Sequence, residues 1–167
     1  MAGFLVVIFA PIITFIGLFY LTLILAVILY IIMSYTFQSI SIMCMRKNMG
    51  YKNNFVAWIP FYNKYLLGKI AKNKIIGGIS SFLSILLICL LIYFHIYQEY
   101  ETVQCSIFLI SLITVFILDT IIAHKIYTSY TGKYGDILTV FNVLSFGLLR
   151  PIFLFLIRNK KNKDIIN

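Results

Sequence analysis

Apolar residues along this chain come in blocks too long for strands or for one face of a surface helix. The first runs from Phe4 to about Met45, the second from Ile75 to Tyr97, the third from Cys105 to about Ala123 and the fourth from Ile137 to Ile157. Short polar stretches separate them: RKNMGYKNN, then QEYETVQ, then HKIYTSYTGKYGD, with RNKKNKDIIN at the end. A helix of about 20 apolar residues matches the hydrocarbon thickness of a bilayer, about 30 Å. The pattern predicts an all-α fold, an integral membrane helical bundle of three to four spans in a single membrane domain over residues 1–167.

The spans fall at about residues 13–35, 75–97, 105–123 and 137–157. As one helix the first block would be about 60 Å long, twice what a bilayer needs. It fits either a tilted span at 13–35, preceded by an interfacial segment with Pro11, or a tight hairpin of two spans. Residues 18–33 hold no turn cluster, which favours the single span. The fourth block is interrupted at Gly147 and Arg150-Pro151, so it either crosses or dips in and returns on the same side.

Composition agrees with the pattern. The chain is 62% hydrophobic and only 11% charged, whereas about a quarter of the residues in soluble domains are charged. Net charge is +9, and seven of the basic residues fall between positions 46 and 74. The 98–104 loop has none and carries Glu99 and Glu101 instead. The positive-inside bias places 46–74 in the cytoplasm, 98–104 outside, and His124, Lys125 and Lys133 back inside. It also favours a C-terminal tail that returns inside. Basic residues flanking apolar blocks are suited to anionic lipid headgroups. No groove-reading element stands outside the spans, so no nucleic-acid partner is expected.

Cys44, Cys89 and Cys105 form no C-x-x-C pair and have no His at ligand spacing, so neither a metal nor another cofactor is expected. The N-terminus lacks the positive leader of a signal peptide, and its apolar stretch is expected to be retained.

One stretch, AWIPFYNKYLLGKIAKNK (57–74), stands apart from a plain loop. Pro60 has no N–H to donate and disfavours a helical Ile59, so a new short helix begins there. Trp58, Tyr62 and Tyr65 prefer the headgroup layer, and lysines such as Lys64 can snorkel toward phosphates. Asn63 is placed to satisfy backbone groups freed by Pro60. Residues 55–70 therefore read as an interfacial or shallow re-entrant helix on the cytoplasmic side, serving as an anchor or as a docking element. Trp58, Pro60, Asn63, Tyr65, Leu67, Lys69, Ile70 and Ala71, with Gly50 upstream, fit a W-x-P-x-x-N-x-Y-x-L-x-K-I-A pattern. In this the chain resembles uncharacterised small polytopic membrane proteins of low-GC Gram-positive bacteria. The resemblance covers roughly residues 25–95 and the last twenty. It implies a multi-pass protein of a Gram-positive cytoplasmic membrane and carries no chemistry with it.

Ionisable groups within apolar blocks are costly, and each marks a candidate site. Asp119 lies toward the inner end of the third block and Arg150 inside the fourth, and pairing them would cancel two burial penalties. Asn142 and Ser145, three apart on one helical face, are placed to bond between helices. Gly77-Gly78 with Ser80, Ser81 and Ser84 mark a face of the second span that another helix can approach closely. No catalytic signature is present, so an enzyme is not expected. The pattern points to a non-enzymatic membrane protein that works through protein partners or as a homo-oligomer. An accessory subunit of a transport or secretion system and a bacteriocin immunity protein both fit. The alternative is a small oligomeric channel or transporter, with Asp119, Arg150 and Asn142 lining its path.

Overall fold

The computed structural model describes residues 2–97 and 102–160, with side chains from residue 14 onward. Glu99, Glu101, Lys161 and Lys163 lie outside the described residues, as does the side chain of Pro11. Every described element is helical: α1 (Ala2–Asn48), a short 3₁₀ turn (Phe55–Trp58), α2 (Tyr62–Ile70), α3 (Lys74–Tyr97), α4 (Thr102–Thr131), α5 (Tyr134–Leu144) and α6 (Arg150–Ile157). The chain divides into two compact units, Met1–Thr36 and Phe37–Asn167.

In the first unit the hairpin alternative falls away, because α1 runs unbroken through it. Every described side chain from Thr14 to Met33 is exposed. One polar side chain within this apolar stretch bonds locally: Thr22 Oγ1 donates to the Leu18 carbonyl at 2.8 Å. Bonding back one turn is how a hydroxyl is satisfied where no water is at hand.

The second unit is a helical bundle whose core gathers Ile42 and Met45 of α1, Leu66 and Ile70 of α2, Ile122, Ile126 and Tyr127 of α4, and Leu154 of α6. The helices α3 and α4, of 24 and 30 residues, are about 36 and 45 Å long, enough to cross a bilayer. Together with Thr14–Asn48 they make three helices long and apolar enough to do so among the described residues. Residues 137–157, expected as a fourth span, are instead two short helices, α5 of 11 and α6 of 8 residues. Neither, at about 16 and 12 Å, is long enough to cross alone.

The break between them is a helix-ending turn. Gly147 N–H bonds the Asn142 carbonyl at 2.8 Å and Phe146 N–H bonds the Val143 carbonyl at 2.9 Å. This Schellman pattern sets Phe146 (φ 51°) and Gly147 (φ 82°) in the left-handed region. The chain then turns back: Asn48 Nδ2 donates to the Arg158 carbonyl at 3.3 Å, so the end of α6 meets the end of α1.

The segment 55–70 packs into the helical bundle. Ile59 is extended (ψ 120°), as a residue before proline must be. Phe61 is left-handed (φ 63°), and its carbonyl accepts from Ser81 Oγ of α3 at 2.9 Å. The helix α2 then buries Asn63, Leu66, Leu67, Gly68 and Ile70. What lets it in is a glycine pair: a Cβ on Gly68 would sit 2.5 Å from the Gly77 Cα of α3. Two backbones touch there, and no larger residue fits.

Candidate functional site: a buried carboxylate between two cations

Asp119 lies on α4, 12 residues before that helix ends at Thr131, among apolar neighbours, and is buried. Four side chains from three other helices complete its surroundings. Arg150, at the start of α6, places Nη1 2.6 Å from Asp119 Oδ2. Lys64 of α2 places Nζ 2.9 Å from the same oxygen. Ser80 of α3 donates its hydroxyl to Oδ1. Lys64 also donates to Ser84 Oγ at 2.8 Å, and Ser84 in turn donates to the Ser80 carbonyl at 2.7 Å.

Each donor arrives through a local feature already described. The Gly68–Gly77 contact brings α2 against α3, so Lys64 can pass Ser84 and reach α4. The turn at Phe146-Gly147 reverses the chain so that Arg150 points back into the bundle. The Asp119–Arg150 pairing expected from burial cost is therefore formed, as part of a larger cluster. Lys64, expected at the headgroup layer, is the member that sequence reasoning missed. Ser80 and Ser84, read as packing residues, also act as hydrogen-bond partners.

Electrostatically the cluster holds two positive charges and one negative. Burial lowers the pKa of the Lys64 ammonium from its ordinary 10.5; Asp119 opposes that shift and Arg150 adds to it. A cavity of about 10 Å³ adjoins the cluster, lined by Lys64, Asp119 and Arg150 and by Leu67, Ile122, Ala123, Ile126 and Leu154. That volume suits one water molecule and nothing larger.

The other expected site residues lie elsewhere. Asn142 is buried, and its Oδ1 has no hydrogen-bond partner among the described residues. Ser145 bonds only locally, donating to the Asn142 carbonyl at 3.1 Å and accepting from the Leu149 N–H at 3.3 Å. Trp58 is half-buried and Pro60 exposed. Tyr62, exposed, packs against half-buried Tyr65 with ring centroids 5.3 Å apart and the rings tilted by 39°. The Asn63 side chain is buried, while its N–H bonds the Ile59 carbonyl at 3.2 Å. No group of three or more His, Cys, Asp or Glu able to hold a metal is found among the described residues.

Fold and site together define an all-α, multi-pass membrane protein whose bundle is cross-linked by an internal ion cluster. Comparison with known proteins adds no name to that class: no family model, curated protein or solved structure matches the chain.

Proposed function

We propose that this chain is a non-enzymatic protein of a cytoplasmic membrane that acts by engaging a protein partner within the bilayer. An accessory subunit of a transport or secretion system and an immunity protein against a peptide toxin are the roles that suit it. The carrying observation is the apolar helix from Thr14 to Met33, exposed on every side, a surface that either lipid or another helix must cover. The ion cluster supports the same reading from the other direction. Its carboxylate is already held by two cations and a hydroxyl, and the adjoining cavity is the size of one water. A path for ions or solutes through one protomer would need an open polar lumen instead.

Photo-crosslinking amino acids placed singly from Leu18 to Ile31, in cells that carry the protein natively, test this reading. The expected result is one protein adduct of constant mass, recurring at positions three to four apart. Adducts with lipid alone at every position would overturn it. So would ion flux in liposomes that is lost in Asp119→Asn, which would favour the channel reading.

A further inference from the structure

The end of the bundle where α1, α4 and α6 finish and α3 starts is strongly basic. Arg46 and Lys69 both lie 4.7 Å from the Tyr51 ring centroid, joining the end of α1 to that of α2. The Asn73 amide, turned so that its oxygen accepts from Lys125 Nζ at 2.6 Å, joins the α2–α3 turn to α4. Asp119 and Asp136 are the acidic side chains among the described residues. The first is held inside the ion cluster, and the second lies 3.8 Å from His124 Nδ1.

A crevice of about 520 Å³ opens at this end, lined by Tyr51, Lys69, Lys72, Asn73, Lys74 and Ile75. No carboxylate of the described residues lines it. The turn that shapes it is another Schellman ending: Asn73 N–H bonds the Gly68 carbonyl at 2.8 Å and Lys72 N–H bonds the Lys69 carbonyl at 3.2 Å. That pattern puts Lys72 at φ 57°, a left-handed conformation that glycine and asparagine adopt more readily than lysine.

We propose that this crevice binds the phosphodiester headgroup of an anionic lipid. Charge complementarity selects an anion, because three ammonium-bearing side chains line the wall and Arg46 and Lys125 stand behind it. The phosphate oxygens take the lysines, and the Tyr51 hydroxyl is placed to bond the polar part of the headgroup. The crevice opens where α3 begins its crossing, beside Ile75, which is 79% exposed. That apolar side chain lies where the acyl chains of a bound lipid would run, so a lipid fits better than a free phosphoanion. This proposal does not rest on the protein-partner reading above.

Native mass spectrometry of the detergent-solubilised protein tests it, with titration by phosphatidylglycerol, phosphatidylcholine and glycerol 3-phosphate. The wild type is expected to hold one phosphatidylglycerol in preference to phosphatidylcholine, and to bind glycerol 3-phosphate far more weakly. The triple variant K69Q/K72Q/K74Q should lose at least about tenfold in affinity. A second triple, K47Q/K52Q/K133Q, removes the same charge elsewhere and should retain it. Lys74→Gln alone, which leaves the left-handed turn intact, should show a smaller loss in the same direction if the first triple does not fold. Equal losses in both triples would mean diffuse attraction and overturn the site. Equal binding of phosphatidylcholine, or glycerol 3-phosphate binding as tightly as the lipid, would overturn the lipid assignment.

Discussion

Replacing Asp119 with Asn tests the ion cluster where its charge balance is most exposed. Lys64 Nζ and Arg150 Nη1 lie 2.9 and 2.6 Å from one carboxylate oxygen, so the two cations are at most about 5.5 Å apart. At that separation two positive charges repel by about 3 kcal/mol for an effective dielectric of about 20. Asp119→Asn removes the charge that offsets this repulsion and leaves both cations largely, though not fully, shielded from water. The expected loss is about 3–5 kcal/mol, the range for stranding a buried charge. Removing one cation is a different perturbation, because it leaves a neutral pair. Lys64→Met and Arg150→Met should each cost about 1 kcal/mol or less, since the lost contact is offset by relief of repulsion and desolvation. The double variant Asp119→Asn/Arg150→Met should recover part of the Asp119→Asn loss. Reversible unfolding in mixed micelles, titrated with a denaturing detergent, gives the four values on one scale. Wild-type stability in Asp119→Asn, or equal losses in all three single variants, would refute the reasoning.

Three further outcomes follow from particular contacts. Gly68→Val should destabilise the bundle by at least about 1–3 kcal/mol in the same assay, because its Cβ would enter the Gly77 backbone of α3. Asn142→Leu should be neutral or stabilising, since the Asn142 Oδ1 has no partner among the described residues to lose; a clear loss would show that it holds a bound water. The lowered pKa of Lys64 means that the folded state binds fewer protons than the unfolded state from that lowered value up to about 10.5. Wild-type stability should therefore rise with pH across that window relative to Lys64→Met, and parallel pH profiles would count against a buried, protonated Lys64.

Much of the architecture was legible because the physics behind it is local. Long apolar runs have one stable form in lipid, and α1, α3 and α4 follow from that. The Asp119–Arg150 pairing was legible from cost alone, since each residue lies in an apolar block and each needs a partner. Lys64 was not, because it sits in a lysine-rich stretch where one more cation reads as a headgroup anchor. A signal was nevertheless present: Lys64 shares a helical face with Leu67, Gly68 and Ala71, whereas Lys69 and Lys72 fall off it. Residues 137–157 have the length and apolar character of a span, and only Gly147 and Arg150-Pro151 hinted at the reversal that forms. The left-handed Phe146 that completes this reversal carries no sequence mark of its own. Asn142 and Ser145 share a face as expected, yet the turn at 145–149 keeps the Ser145 bonds local.

The spacing of the cluster along the chain also fixes an order of assembly. Asp119 lies 55 positions after Lys64, and Arg150 comes later still. At about 5–20 residues per second, synthesis leaves Lys64 without its carboxylate for roughly 3–11 s. During that interval Lys64 can be buried only as an unpaired ammonium, a cost that favours keeping it in contact with water. The arrival of α4 supplies the carboxylate, and α6 then closes the cluster from the far side. The cluster is completed by the last helix of the bundle, and Lys64 gains its carboxylate only once the fourth has been made.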